Sequence, residues 1–235
     1  MNCIVSTYLT SGVDTQRGVT IAGDSDDYVL NWYNSIVSLD LMGVIIHDGL
    51  SDEFMAKYPE INFYKVDKKP NDITIYDYRW LCYYQFLKDL QPEKVFFTDL
   101  HDVTVVNNPF PEMECGTLYC GDEEIAMIDS SWIQGASCCK KLSKLRGFLK
   151  TIRSKRKLLN CGLFGGCYEN VYAFLDKLVE MIKRLRGRDH NQTVDMPLFI
   201  YTMYNHFGNS FAHGFPINSV FGANEDRDDV WFIHK

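Results

Sequence analysis

Residues 95–103 constrain the fold more than any other part of the sequence. An apolar run at 95–98 passes directly into Asp99, His101 and Asp102. Such a run is typical of a strand buried on both faces, as in the parallel sheet of an α/β domain. Open α/β sheets bind their ligands just beyond the carboxyl ends of the strands. The segment therefore predicts a central strand that ends at a binding site.

Asp99, His101 and Asp102 offer carboxylate oxygens and one imidazole at the end of this predicted strand. Oxygen-rich sites suit Mg²⁺ or Mn²⁺ better than a structural zinc ion. Two ligand pairs are open at this point, Asp99 with His101 and Asp99 with Asp102. The alternative without a site is a turn in which Asp102 caps the backbone while His101 is solvated.

The first half of the chain alternates predicted strands and helices. Short apolar runs predict strands at 3–8, 43–47 and 61–66. Apolar residues at helical spacing predict helices at 28–39 and 75–90. This alternation indicates βαβ units around a largely parallel sheet, so the predicted fold class is α/β. The second predicted helix is rich in aromatic residues, which we expect to lie in the core rather than at a binding site.

The second half of the chain is less regular. The patterns predict strands at 117–121, 163–165 and 231–233 and amphipathic helices at 169–186 and 195–207. The chain contains no internal repeat, no low-complexity tract and no linker-like segment. We therefore expect a single domain spanning residues 1–235.

Composition limits the classes of function. A hydrophobic content of 46% is enough for a sizeable core, and a formal charge of −7 argues against a nucleic-acid partner. Lysine and arginine are nevertheless concentrated between 140 and 157, interleaved with apolar residues at helical spacing. A solvated helix face is the favoured interpretation of this segment. A binding patch for an anionic acceptor or a membrane surface is the alternative.

The eight cysteines are spread through a chain that is large enough to fold without disulfides. We expect buried free thiols in a reducing compartment. The N-terminal residues read as a strand rather than a signal peptide, and no apolar run approaches the ~20 residues of a membrane helix. These patterns predict a cytoplasmic protein with no transmembrane segment.

Four motifs follow one another along the chain in a recognisable order. They are the first strand with its loop (5–18), Asp77-Tyr78-Arg79, Asp99-Leu100-His101-Asp102, and a C-terminal set of Asn160-Cys161-Gly162, Asp195 and His234-Lys235. This order resembles the GT-A glycosyltransferases that use nucleotide sugars, particularly the glycogenin-like and related small bacterial and viral enzymes, and the resemblance covers most of the chain. It implies a GT-A, Rossmann-like sandwich with a mostly parallel central sheet. Residues 1–110 would form the nucleotide-binding half and residues 111–235 the half that binds sugar and acceptor.

The resemblance also implies roles for residues of the nucleotide-binding half. The first strand and its loop would hold the base and ribose, which places Thr7, Tyr8 and Arg17 near the nucleotide. Asp77 and Arg79 resemble a polar pair on the helix before the metal-binding strand. From that helix an arginine can reach the sugar or the phosphates of the donor.

Asp99 matches the start of the DxD motif of these enzymes, although a strict Asp-x-Asp is absent. Its partner would be His101, in the Asp-x-His variant, or Asp102, in a wider pair. His234 resembles the late histidine that supplies a third protein ligand. Lys235 would then bind the diphosphate.

Asn160-Cys161-Gly162 resembles the Asn-Ala-Gly element that these transferases place beside the donor sugar, where glycine permits a close approach of the backbone. Gly162 is therefore a candidate for binding the nucleotide sugar. Asp195 lies where many relatives have Asp-Gln, and Met196 replaces the glutamine. Asn160 and Asp195 are the catalytic candidates, and a tight turn at 160–162 is the alternative without function.

The implied reaction is transfer of a hexosyl or pentosyl group from a nucleoside-diphosphate sugar to a hydroxyl acceptor, with Mn²⁺ or Mg²⁺ as cofactor. UDP is the commonest base in the resembled group. Asp195 would act as a base if configuration inverts, or would stabilise the positive sugar if it is retained. Residues 115–157 would help to build the acceptor side. The rival functions are a non-catalytic nucleotide-sugar-binding protein, a metal-dependent phosphohydrolase and, less favoured for want of a basic glycine-rich loop, a nucleotidylyltransferase.

Overall fold

The structure is a computed structural model that describes residues 1–15, 18–130, 133, 147–148, 156–185, 193–208, 210–223 and 225–235. The predicted role of Arg17 therefore lies outside the described residues. The same holds for most of the basic segment 140–157 and for its predicted helix.

The described strands and helices follow one another in mixed order. The strands are β1 (Asn2–Tyr8), β2 (Val13–Asp14), β3 (Val19–Thr20), β4 (Gly43–His47), β5 (Ile61–Lys65), β6 (Lys94–Thr98), β7 (Val103–Val105), β8 (Leu118–Ala126), β9 (Lys157–Cys167), β10 (Phe211–His213) and β11 (Phe232–His234). The α-helices are α1 (Asp26–Ser38), α2 (Asp52–Met55), α3 (Ile75–Leu90), α4 (Tyr168–Leu185) and α5 (Asp195–Thr202). None of these helices is both long and apolar enough to cross a membrane.

Seven of the described strands form one sheet in the order β10-β8-β9-β6-β1-β4-β5. All neighbours are parallel except β9, which runs antiparallel to both β6 and β8. The α/β class with a mostly parallel central sheet is therefore confirmed. The carboxyl ends of β1, β4 and β6 lie at one edge of the sheet, because these strands are parallel.

Helices cover both faces of the sheet and close a hydrophobic core on each. The aromatic side of α3 packs on one face, where Trp80 is fully buried and stacks on Phe199. Trp32 of α1 is fully buried on the other face. The expectation that the aromatic residues of α3 belong to the core is confirmed for Trp80, Tyr83 and Phe86.

Strand β9 is longer than the predicted strand at 163–165. Its pairing with β8 shifts register between Cys120, opposite Phe164, and Gly121, opposite Asn160. Asn160-Cys161-Gly162 therefore lies inside a bulged strand and not in a tight turn. A polar residue and a glycine interrupt the apolar pattern here, which is why the pattern predicts only the C-terminal part of the strand.

Two cysteines differ from the expectation of free thiols. Cys115 and Cys167 form a disulfide, with their Cα atoms 5.4 Å apart. The loop before β8 passes the C-terminal end of β9, so residues that are distant in sequence become neighbours. Cys3, Cys82, Cys120 and Cys161 are free, as expected. The cytoplasmic location stays a prediction.

Candidate metal centre and adjoining clefts

Backbone pairing at the carboxyl edge of the sheet brings three side chains together. The N–H of Asp99, just after β6, donates to the carbonyl of Gly162 in β9 over 2.8 Å. Strand β11 pairs antiparallel with β7, which places His234 opposite Val103. The pairing continues where the N–H of Lys235 donates to the carbonyl of Asp102 over 2.9 Å. The end of the described chain thus returns to the end of the central strand.

Asp99, Asp102 and His234 form a group suited to a divalent cation. Their potential ligand atoms all lie within 4.8 Å of one another. His234 Nε2 is 3.7 Å from Asp99 Oδ2 and 3.8 Å from Asp102 Oδ1. Burial and the negative charge of the neighbouring Asp99 raise the pKa of Asp102, because both disfavour its ionised form. A bound cation would offset this effect. Two carboxylates and one imidazole fit Mn²⁺ or Mg²⁺.

His101 lies apart from this group. Its ring packs against the ring of Tyr28, with the centroids 5.2 Å apart, and its side chain is exposed. Of the two ligand pairs that the sequence leaves open, the geometry therefore favours Asp99 with Asp102.

Gly162 lies against two members of the group. A Cβ atom at this position would come within 2.5 Å of His234 Cε1 and 3.0 Å of Asp99 Cγ. The absent side chain therefore leaves room for two potential metal ligands, in addition to the predicted approach of the donor sugar.

Gly162→Ala is expected to displace both ligands and to weaken Mn²⁺ binding by at least about tenfold, because ligand positions control metal affinity. Calorimetric titration of Mn²⁺ measures the effect. Gly23→Ala is the matched control, since a Cβ there meets no atom nearer than Thr10 Cγ2 at 3.8 Å. Equal Mn²⁺ affinity in the two variants would contradict the steric argument.

Arg79 joins the candidate metal site to the start of α5. Its Nη1 donates to Asp99 Oδ1 over 2.5 Å, and its Nη2 donates to Asp195 Oδ2 over 3.0 Å. Nη2 also lies 3.1 Å from the sulfur of Cys161. Although burial opposes the charged form, the nearby carboxylates raise the pKa of Arg79 well above its usual value. The guanidinium is thus a fixed, buried cation between two carboxylates.

Asp195 is buried, and both of its carboxylate oxygens have protein partners. Oδ1 accepts from the N–H of Met196 over 2.7 Å, while Oδ2 accepts from Arg79 and from the thiol of Cys161. Burial raises the pKa of Asp195 and Arg79 opposes this effect. These contacts favour a role in positioning Arg79 over the predicted role as a base.

Asp77 is also buried, but it faces away from the open space of the site. Its Oδ1 accepts from the N–H of Val194 over 3.1 Å, and its Oδ2 accepts from the hydroxyl of Thr74 over 2.8 Å. Burial, together with the nearby charge of Asp195, raises the pKa of Asp77 to about 7. Asp77 thus connects the N-terminus of α3 to the residue before α5, and its part in binding the nucleotide sugar stays a prediction.

Two clefts adjoin the candidate metal centre. The first has a volume of about 110 Å³ and is lined by Thr7, Leu9, Ile21, Tyr28, Tyr76 and His101 together with Arg79, Asp99 and Asp102. The second has a volume of about 330 Å³ and is lined by Glu123, Asn160, Cys161, Gly162, Asp195, Met196 and Phe221 together with Arg79 and all three potential metal ligands. Since Asp99 and Asp102 line both, the candidate metal centre lies where the clefts meet.

Tyr8, which is predicted to lie beside the base, does not line the first cleft. It is fully buried, and its hydroxyl donates to the carbonyl of Ala22 and accepts from the N–H of Ser25. Its ring packs on that of Tyr28, with the centroids 4.7 Å apart. Tyr28 therefore lines the cleft, together with Tyr76 and His101, whereas Tyr8 packs behind it. Thr7 also lines the cleft.

Further residues of the clefts lack a sequence signal. Tyr28 and Tyr76 lie at the starts of predicted helices, while Glu123 and Phe221 belong to no recognised motif. Asn160 lines the second cleft, and its Oδ1 accepts from the N–H of Gly162 over 2.8 Å. Lys235 is exposed and lines neither cleft. Its contact with the candidate metal centre is the backbone hydrogen bond to Asp102.

Comparisons with known proteins support the fold. No protein-family model matches the sequence, and neither does the sequence of any curated protein. Among solved structures, an active-site mutant of LgtC is similar at a TM-score of 0.58 and 13% identity over 100% of this chain and 86% of the other. The galactosyltransferase LgtC in complex with donor and acceptor sugar analogues is similar at a TM-score of 0.56 and 12% identity, with the same coverage. Together with the topology of the central sheet and the DxD-like Asp99-Asp102 pair, these similarities show that the chain has the GT-A fold.

Proposed function

We propose that this protein is a metal-dependent glycosyltransferase that moves a hexosyl or pentosyl group from a nucleoside-diphosphate sugar to a hydroxyl acceptor. The observation that carries this proposal is the Asp99–Asp102–His234 group at the junction of two clefts. A diphosphate at that junction would extend its nucleoside into one cleft and its sugar into the other. UDP is the expected nucleotide, and Mn²⁺ or Mg²⁺ the expected cofactor.

The first cleft suits the nucleoside. Tyr28 and His101 present neighbouring rings on its wall, and Thr7 adds a hydroxyl at the end of β1. A planar base can stack on such rings, because every base has a π-face. The larger second cleft then receives the sugar and leaves room for an acceptor.

The reaction breaks the bond between the anomeric carbon and a phosphate oxygen, so negative charge grows on the diphosphate. Asp99, Asp102 and His234 would hold the Mn²⁺ or Mg²⁺ ion that, when bound, stabilises this charge. Arg79 fixes one oxygen of Asp99 and leaves Oδ2 directed toward His234. Asn160 and Cys161 line the wall on which the sugar would lie. These residues orient the donor before the chemical step.

Two other functions share the metal group. A phosphohydrolase needs only the metal and water, and a non-catalytic binding protein needs only the first cleft. The size of the second cleft favours a transferase, because it offers space on the far side of the metal group from the predicted base site.

Calorimetric titration of UDP, GDP and dTDP with and without Mn²⁺ tests the proposal. We expect one nucleotide, UDP, to bind at least about tenfold more tightly in the presence of the metal. Sugar conjugates of that nucleotide, incubated with hydroxyl acceptors, should then give a glycosylated product. Nucleotide binding that ignores the metal would refute the proposed site, and release of nucleotide without any acceptor product would indicate a hydrolase.

A further inference from the structure

Resting on the proposed function, we infer that the second cleft binds a neutral sugar as the acceptor, with the sugar ring against Phe221 and a hydroxyl group on the carboxylate of Glu123. Neither residue belongs to the motifs that point to the transferase reaction. Both line the same cleft as the three potential metal ligands. The inference depends on the bonding of the carboxylates, on the exposed aromatic ring and on the balance of charge.

Glu123 is the carboxylate of the second cleft that protein contacts leave most available. Asp99 and Asp102 face the metal position, and both oxygens of Asp195 are engaged. Glu123 Oε1 accepts one long bond, 3.4 Å, from Asn160 Nδ2, and the described residues provide no second hydrogen bond to the carboxylate. A partly buried carboxylate with one long hydrogen bond favours a ligand that donates hydrogen bonds, as a sugar hydroxyl does.

Phe221 supplies an apolar surface at the same cleft. Its side chain is 38% exposed, and its ring meets the ring of His234 edge to face, with the centroids 4.7 Å apart. The negative face of an aromatic ring attracts the polarised C–H groups of a sugar ring. An aromatic wall with a few polar groups is the usual composition of a site for an uncharged, polar small molecule.

The charge of the described cleft wall opposes an anionic acceptor. Four carboxylates line the cleft, Asp99, Asp102, Glu123 and Asp195, whereas Arg79 is the one lysine or arginine among the described lining residues. A divalent cation would offset the first two charges, and Arg79 offsets Asp195. No lysine or arginine among the described lining residues offsets the carboxylate of Glu123, which would therefore repel a phosphate or carboxylate on the acceptor. If the acceptor instead bound through the basic segment 140–157, an anionic acceptor would bind more tightly than a neutral one.

Saturation-transfer NMR with saturating UDP and Mg²⁺ tests this inference. The probes are methyl β-galactoside and methyl β-glucoside as neutral ligands and methyl β-glucuronide as the anionic one. We expect transfer signals from at least one neutral glycoside and a signal at least fivefold weaker from the glucuronide. Glu123→Gln should weaken binding of the neutral glycoside at least about tenfold. It should also reduce the ratio of the neutral glycoside's signal to the glucuronide's signal. Phe221→Leu should also weaken binding of the neutral glycoside, with no change in the ratio of the two signals.

Two comparisons make the result specific to the acceptor. Glu124→Gln removes the same charge from the neighbouring, exposed position and should leave glycoside binding as in the unmodified protein. Calorimetric Kd values for UDP with Mg²⁺ should agree within twofold among the unmodified protein, Glu123→Gln and Glu124→Gln. Metal-dependent UDP binding without binding of a neutral glycoside, or with preference for the glucuronide, would overturn the acceptor inference alone. Loss of metal-dependent UDP binding in the unmodified protein would instead refute the proposed function.

Discussion

Asp99→Asn is expected to lower metal-dependent nucleotide affinity at least about 100-fold and to abolish sugar transfer. The substitution keeps the size of the side chain but removes one of the two carboxylates that would hold the cation. It also weakens the contact with Arg79, because a neutral amide no longer pairs with the guanidinium. Titration of UDP in the presence of Mn²⁺, followed by a product assay with the matching donor, measures both effects.

His101→Asn is the matched control for this experiment. It changes an exposed residue of the same loop that lies outside the Asp99–Asp102–His234 group. We expect little change in Mn²⁺ affinity and at most a moderate loss of nucleotide affinity, because His101 lines the first cleft. Because Asp99 belongs to both candidate pairs, a loss of Mn²⁺ affinity in His101→Asn as large as that in Asp99→Asn would instead identify His101 as its partner.

Arg79→Met is expected to destabilise the fold by about 3–5 kcal/mol, as is typical when one partner of a buried ion pair is removed. The guanidinium is buried between Asp99 and Asp195, and methionine would leave the buried Asp195 without its cation. Urea denaturation of the full chain measures the free energy of unfolding.

An exposed arginine provides the comparison for Arg79. Arg184 pairs with Glu180 one helical turn away on the surface of α4, where both side chains are solvated. Arg184→Met should change the free energy of unfolding by no more than about 0.5 kcal/mol. Adding Asp195→Asn to Arg79→Met should recover part of the lost stability, because it removes the unpaired charge. Similar losses in the two single variants would show that the buried network contributes no more than a surface pair.

Local patterns predict the elements whose burial is uniform. Strand β4 is buried throughout, and α3 carries a continuous helical pattern between a capping threonine, Thr74, and Gln91 in the left-handed conformation. Both occur at the predicted residues. The N-terminal part of β9 is missed, since Asn160 and Gly162 interrupt its apolar pattern while pairing with neighbouring strands keeps it extended.

The orientation of side chains at the edge of the sheet is less predictable. Thr7 and Tyr8 are adjacent in β1, yet neighbouring residues of a strand point to opposite faces. Thr7 therefore lines the cleft while Tyr8 is buried beneath Tyr28. Asp77 similarly points to Val194, a contact that depends on where α5 begins. A motif can locate such residues along the chain without determining which of them reaches the ligand.

The sequence by itself determined the alternation of strands and helices, the apolar central strand and the placement of Asp99 at its end. These features follow from local hydrophobic periodicity, which is written in neighbouring residues. Only the tertiary structure decided that Asp102 rather than His101 lies in one group with Asp99 and His234, and that Glu123 and Phe221 line the adjoining cleft. The reason is that His234 reaches Asp99 and Asp102 through the pairing of β11 with β7, and β8 carries Glu123 to the cleft through its pairing with β9. Contacts between such distant segments depend on the packing of the whole chain.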